Sequence, residues 1–556
     1  MTDRHIVVLT TVLDADNALA VLSETSVEVV VPAGAPPIEP EPPEPDAWSV
    51  EIVHGGRTYE VKQDQATDMG DFTSHRGGFI QRCFKAQVSE LAMTIFFRPD
   101  VDDEARQEIV FERGYCWLAG TEADIGAYRA VVWKGTDKIA DVDVPHHYLF
   151  SRWRWQSASR PIVCSIDDLH AARLIPPYVF DPARPPVAKL VPYAPMGLAG
   201  IYPQMGDAGE RPDIGPMTDP QGEYLVTGNQ TALDVVRAQA EAAGTCQWHM
   251  RDENTCAPID FETYPEACWY QGQQQGTPFI PVPPGLVKVD NSHQPALAYL
   301  PYLLTGDPYH LETLQFQATW NYGRSSVGYR PSLGETRAWA WDTRTLGQCV
   351  QMTPEEVPSW LLPQSYWRYM ADKYRAHFDG KYLLSTDPVH TYFRCTDNLD
   401  SRVQDGLAPA GTWQQPWQTE FLACMFGWLI GMGQEEWRAE FDWLIAGVIA
   451  RTLRDGGWPR AQCTPYQMML KPAKGAPACT TWEACWLLNH DVLGLDYDDV
   501  DTWVAEDMTY LTYTRGALAC TRLVDPSTDE AYRWASDQLK QGGWTPAFKW
   551  SIGERE

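Results

Sequence analysis

Apolar and polar positions alternate with a short period through the first part of the chain, then change to a longer one. From Trp48 to about Pro185 the runs WSVEIVHGG, RTYEVKQD, LAMTIFFRPD, QEIVFERGYCWLAG, AYRAVVWKG and KIADVDVPHHYLFSRWRWQS are short and rich in β-branched and aromatic residues. Turn residues separate them, so they predict strands, and several short strands at this spacing predict an antiparallel β-sandwich. In SRWRWQS the period of two sends Arg152 and Arg154 to one face and Trp153 and Trp155 to the other. This strand has two working faces.

After DPARPPVAKLVPYAP the apolar positions recur at helical spacing, in segments such as TALDVVRAQAEAAGTCQW, PALAYLPYLLTG, YHLETLQFQATWNYG, TRAWAWDTRTLGQCVQM, SWLLPQSYWRYMADKYRAHF and QTEFLACMFGWLIGMG. Short joints such as LLTGDPYHLETL, CVQMTPEEVPSW and LIGMGQEEWRAEF end one helix and start the next. Recurrent helical hairpins of this kind predict a toroid of stacked pairs. The expected layout is therefore multidomain, β then α: a sandwich over 48–185 and an α/α toroid over 186–556. Ahead of them, residues 31–47 carry seven prolines among acidic residues, which predicts a semi-rigid linker in polyproline conformation. Residues 1–30 read as two short strands, HIVVLTTVL and TSVEVVV, too few to bury a core alone. They are expected to dock on the body or on another chain, as a virion attachment or homo-oligomerisation arm.

Composition narrows the partners. With 74 acidic against 44 basic residues the net charge is −30, a field that repels phosphate backbones and anionic membrane surfaces. Nucleic acid is not expected as a partner. No run approaches 18 uninterrupted apolar residues, so no membrane span is expected, and the start MTDRHIVVLTTVLDADNALAVL lacks the apolar stretch of a secretory signal. Synthesis in a reducing cytoplasm, with possible virion association, fits these features. The 13 cysteines show no C-x-x-C pair and are read as buried thiols. No metal-ligand spacing, phosphate loop or G-x-S-x-G elbow occurs, so neither metal nor cofactor is expected.

Candidate chemistry concentrates in VDNSHQPALAYLPYLLTGDPYHLETLQFQATWNYG, residues 289–323. Asp290, Asn291 or Ser292 is placed to cap a helix running from Gln294 to Thr305, closed by Gly306, with His293 in its lead-in. A histidine and a tyrosine, Tyr299 or Tyr302, at one end of a cavity suit proton abstraction beside a uronic carboxyl group and proton return to the leaving oxygen. Asn291, Arg324 or Arg337 would steady the enolate charge. The structural reading of the same residues is a capping histidine and tyrosines filling a wet helix interface. A second candidate is the loop MGDAGERPDIGP, where Asp207, Glu210 and Asp213 offer a glycosidase acid and base, or serve as turn residues. A third is CQWHMRDENT, with His249, Asp252 and Glu253. Among the 24 tryptophans, Trp413, Trp417 and Trp458 are the best-placed sugar platforms, joined by Tyr322 and Arg324 as substrate-binding candidates.

A strand-rich front followed by DNSHQPALAYLPYLLTGDPYHLE resembles the polysaccharide lyases and glycoside hydrolases of toroid type, exo-rhamnogalacturonan-lyase-like proteins in particular. The tracts GERPDIGP and LETLQFQATWN resemble uncharacterised proteins of phage and prophage tail regions. The resemblance spans about residues 190–350. It implies that His293 and Tyr302 or Tyr299 act with Asn291 and Arg324 or Arg337 on a polysaccharide, cleaving it by β-elimination or hydrolysis as a tail-associated depolymerase would. The other expectation is a non-catalytic glycan-binding or structural tail protein.

Overall fold

A computed structural model describes residues 48–116, 124–207, 211–269, 285–325, 327, 330–331, 335–383, 413–453, 457–466, 468–473, 476–493 and 508–553. The expected arm and linker over 1–47 lie outside these residues. Ala47–Glu556 forms one compact unit.

Its front is antiparallel sheet, as the alternating pattern predicts. The strands are β1 (Trp48–His54), β2 (Arg57–Lys62), β3 (Thr67–Ser74), β4 (Phe79–Val88), β5 (Met93–Pro99), β6 (Gln107–Glu112), β7 (Tyr128–Lys134), β8 (Asp137–Val144) and β9 (Arg152–Gln156). They form a sheet of order β2-β1-β7-β8 and another of order β3-β4-β5-β6-β9. Strands β3 and β4 were not among the sequence expectations, because TDMGDFTS shows no apolar alternation; pairing with β4 supplies what its own pattern lacks. Between the sheets lie Val50, Ile52, Ile95, Phe97, Ile109, Phe111, Val132 and Trp153. The Trp153 ring stacks on Phe111 at 4.1 Å and its N–H donates to the Tyr128 hydroxyl at 2.6 Å.

The helical part comprises α1 (Ile166–Ala171), α2 (Asp219–Thr227), α3 (Gln230–Ala242), α4 (Tyr299–Thr305), α5 (Pro308–Gly323), α6 (Thr336–Met352), α7 (Gln364–Lys381), α8 (Pro416–Gly431), α9 (Arg438–Thr452), α10 (Trp482–Leu493), α11 (Met508–Arg522) and α12 (Asp529–Gln541). The pairs α4–α5, α6–α7, α8–α9 and α11–α12 pack as hairpins, while α5, α6, α8 and α11 neighbour one another in that order. Every residue of α5 and α8 is buried, so these helices have no polar stripe. They form a central layer, and polar side chains on them are inside the protein.

The period of two in β5, β6 and β9 joins sheet to helices. Arg98, Glu108, Glu112, Arg152 and Arg154 alternate with the sandwich residues and point the other way, onto α5. There Glu312 binds Arg98 at 3.0 Å, Arg251 at 2.6 Å and Arg152 at closer range. Arg154 reaches Asp307 at 2.7 Å, Glu108 at 2.5 Å and Glu241 at 2.5 Å. The Arg152 and Arg154 guanidinium groups also lie over the Tyr309 ring, at 4.1 and 4.2 Å. All these arginines are buried, and each has carboxylate partners.

A second link is steric. The joint between α4 and α5 turns at Gly306, whose φ of 67° favours glycine and whose carbonyl accepts from the Ser74 hydroxyl at 2.6 Å. A Cβ there would stand 2.3 Å from the Gly77 amide nitrogen. Gly306→Ala is therefore expected to destabilise the chain by about 1–3 kcal/mol, from the left-handed backbone and the clash together. Denaturant unfolding of the variant checks this, and a midpoint equal to that of the parent would contradict it.

Candidate functional site

The segment ahead of α4 does not continue the helix as its sequence predicts. Tyr299 is the first helical residue, and Asn291–Ala298 runs outside helix. Two local causes act together. Pro295 disfavours helical backbone at Gln294, and Pro301 falls in the first turn of α4, where no intrahelical amide is needed. Tertiary contacts complete the effect, because five consecutive carbonyls each accept from a side chain. Ser292 O takes the Trp341 indole N–H at 3.1 Å, His293 O the Arg211 guanidinium at 3.4 Å, and Gln294 O the Arg344 guanidinium at 3.0 Å. Pro295 O takes the Gln317 amide at 2.7 Å and Ala296 O the Gln221 amide at 2.5 Å. With its acceptors engaged from α2, α5, α6 and the 211 loop, this stretch is held out of helix and still in the interior.

That clamp positions His293. Its Nδ1 meets Asp290 Oδ2 at 2.6 Å, and its Nε2 is buried with no hydrogen-bond partner among the described residues. Burial pushes the Asp290 carboxyl up, but the His293 hydrogen bond and the charges of Arg324, His293 and Arg337 outweigh it, leaving its pKa below the ordinary carboxylate range. A carboxylate on Nδ1 places the imidazole proton on that nitrogen and leaves Nε2 as a bare base. Arg324 stands 3.5 Å from Asp290 Oδ1. Side-chain exposure falls from 37% at Arg324 through 18% at Asp290 to 4% at His293, so the arginine is nearest to solvent and the imidazole is buried.

Helix periodicity sets the neighbours of this pair. Gln317 of α5 reaches Pro295 O and Arg324, just past the end of α5, reaches Asp290, with Asn321 between them in the same row. The Asn321 amide is buried without a partner among the described residues. On α6, Trp341 and Arg344 hold the segment, and the adjacent Asp342 is buried beside Asn291. Burial lowers the Arg344 pKa to about 9.

Of the residues expected to act, the structure brings together His293, Asn291, Arg324 and Arg337. Arg337 feels the Asp290 charge and pairs with Glu335 at 2.5 Å. The tyrosines depart from the expected constellation. Tyr299 donates to Leu174 O at 2.7 Å, and Tyr302 packs among Phe72, Phe96, Trp360 and Leu361 at the junction of sheet and helices. Both point into packed interior because α4 starts late and is buried all round. Tyr322 is buried against Phe261 at 4.7 Å and Tyr374 at 6.0 Å.

The other candidates serve the scaffold. Asp213 pairs with Arg211 at 3.1 Å, the arginine that holds His293 O, so this loop acts on the site through the backbone. Asp207 is exposed, with the Tyr202 hydroxyl at 3.5 Å, and Glu210 lies outside the described residues. His249 is buried, its Nδ1 on Cys246 O at 3.0 Å, and burial together with Arg152 holds its pKa well below the usual value. Asp252 accepts from Asn254 N at 3.0 Å and the Thr255 hydroxyl at 2.9 Å, a turn role, with Glu253 half-buried beside it. Two of the three tryptophan platforms are corrected to interior residues. Trp458 is fully buried with its N–H on Gln462 O at 2.9 Å, and Trp417 is buried with the Arg337 guanidinium 5.7 Å above its ring. Large rings in wholly buried helices pack against one another before they face water. Trp413 pairs in backbone with Met469, and its side chain lies outside the description.

Sequence reading missed Asp342, Asn321, Arg344 and Gln317. The available signal was a tryptophan-rich helix, TRAWAWDTRTLGQC, carrying an aspartate and two arginines with no exposed face for them. Among the described residues no group of three or more His, Cys, Asp or Glu is arranged to hold a metal, and no helix is long and apolar enough to cross a membrane. The cysteines described are free thiols, buried except for half-buried Cys164 and Cys479. Comparison with protein families, curated proteins and solved structures finds no match to this chain.

Proposed function

We propose that this chain is a glycan-cleaving enzyme that acts on a uronate-bearing polysaccharide by β-elimination, on an α/α-toroid scaffold. The observation that carries the reading is the Asp290–His293 pair with Nε2 unpartnered among the described residues and the part-exposed Arg324 beside Asp290. In this mechanism Arg324 receives the substrate carboxylate, which acidifies the adjacent C–H, and Nε2 of His293 removes that proton. Asn291 and Asn321 offer neutral amides to sugar hydroxyls or to the enolate. The helical hairpins, with α5, α6, α8 and α11 as inner neighbours, support a toroid. The same resemblance supports a phage tail-associated depolymerase, with a non-catalytic glycan-binding tail component as the alternative.

A product assay tests the reading. Incubation with uronate-containing polysaccharides is expected to generate unsaturated sugars, seen as new ultraviolet absorbance rising in step with reducing ends. Reducing ends without absorbance would replace elimination by hydrolysis. Binding with no product across acidic and neutral bacterial polysaccharides would replace the enzyme by the glycan-binding component.

A further inference from the structure

Asp342 occupies a place that neither packing nor ion pairing explains. It follows Trp341 on α6, the helix fastened to the His293 segment at Ser292 O and Gln294 O. It is 1% exposed, and its carboxyl lies against the Asn291 side chain with no cation at hydrogen-bond distance among the described residues. Glu312 and Glu420, equally buried, are met by arginines at hydrogen-bond distance, whereas Glu440, like Asp342, receives no arginine hydrogen bond among the described residues. Asp342 instead faces Asn291 and Asp290 from the clamped segment, Arg324 from the end of α5, Arg344 from its own helix and Tyr374 from α7. An ionised carboxylate left bare in such a position would cost several kcal/mol. Burial, reinforced by Asp290, holds its pKa well above the ordinary carboxylate range against the opposing pull of Arg324, Arg344 and Asn291. The acid form is the one this environment favours.

We propose that Asp342 is the proton donor to the departing glycosidic oxygen, the role that sequence reading assigned to a tyrosine. This assignment rests on the β-elimination reading above. Nε2 of His293 takes the proton from the carbon beside the uronate carboxyl, and the released electron pair forms the carbon–carbon double bond. The bond from the β-carbon to the glycosidic oxygen breaks, and that oxygen takes the Asp342 proton. His293 then loses a proton to water and Asp342 regains one. The tyrosine first expected has its hydroxyl on Leu174 O if it is Tyr299, and lies at the sheet junction if it is Tyr302.

The test compares the full-length parent with Asp342→Asn, Tyr374→Phe and His293→Ala on two substrates. One is a uronate polysaccharide, whose leaving alkoxide needs a proton; the other is an aryl-leaving uronide, whose phenolate leaves without one. Asp342→Asn is expected to lower kcat on the polysaccharide by about 10²–10⁴ with KM little changed, and to lower it less than about tenfold on the aryl substrate. Retained aryl turnover also reports that the variant is folded. In the parent, the alkaline fall of kcat should appear on the polysaccharide and not on the aryl substrate, a check that requires no variant. Equal losses on both substrates, an unchanged Asp342→Asn, or a selective polysaccharide defect in Tyr374→Phe instead would each overturn the assignment. If His293→Ala retains full activity, the elimination reading itself fails, which is a distinguishable result.

Discussion

Replacing Glu312 by leucine is expected to destabilise the protein by about 3–5 kcal/mol, the range for removing one partner of a buried ion network. Glu312 sits on fully buried α5 and neutralises Arg98, Arg152 and Arg251, which arrive from β5, β9 and the loop after α3. Without it three guanidinium groups share the remaining carboxylates, and burial near other cations keeps them costly. Glu312→Gln retains shape and one acceptor oxygen, so its loss should be smaller. The pH dependence has a definite sign. Burial would raise the Glu312 pKa, but the arginines hold it below the ordinary value of 4.5, so the folded state binds fewer protons there than the unfolded state. Its contribution is complete above that value and is lost as pH falls through the lower folded pKa. Glu108 acts in the opposite sense, since burial raises its pKa above the unfolded value. Denaturant unfolding at neutral pH and under acid measures both effects, and a Glu312→Leu variant within about 1 kcal/mol of the parent would contradict the network's role.

His293→Ala should lower turnover by about 10²–10⁴, the usual loss on removing a positioned base. Asp290→Asn should do comparable damage by a different route. The carboxylate accepts the Nδ1 proton, and an amide can donate there instead, which turns the imidazole to the tautomer with Nε2 protonated. Neither change touches the five side chains that hold the segment's carbonyls, so unfolding midpoints should stay near that of the parent. The contrasting variant is Gln317→Ala. It frees Pro295 O in the interior and should soften the segment, lowering both stability and turnover. Steady-state kinetics beside unfolding curves separate these outcomes; a His293→Ala protein with undiminished turnover would remove the dyad from the chemistry.

Alternation in strands such as SRWRWQS and helical spacing after residue 186 were legible because each is a local rule: a strand shows alternate side chains to opposite faces, and a helix returns every few residues. Thus Arg152 and Arg154 diverge from Trp153 and Trp155 as their spacing requires, and Gly306 ends α4 with left-handed backbone. His293, Asn291, Arg324 and Arg337 were recognisable as hydrogen-bonding residues in unusually apolar surroundings. Their grouping was not, because it depends on carbonyls at 292–296 being claimed by Arg211, Gln221, Gln317, Trp341 and Arg344, residues as far as 82 positions away. The same long-range competition shortened the helix, turned Tyr299 and Tyr302 away from the histidine and set Asp342 beside Asn291. Periodicity states which residues lie inside; the hydrogen bonds available between distant elements decide which of them meet, and those bonds exist only once the chain has closed on itself.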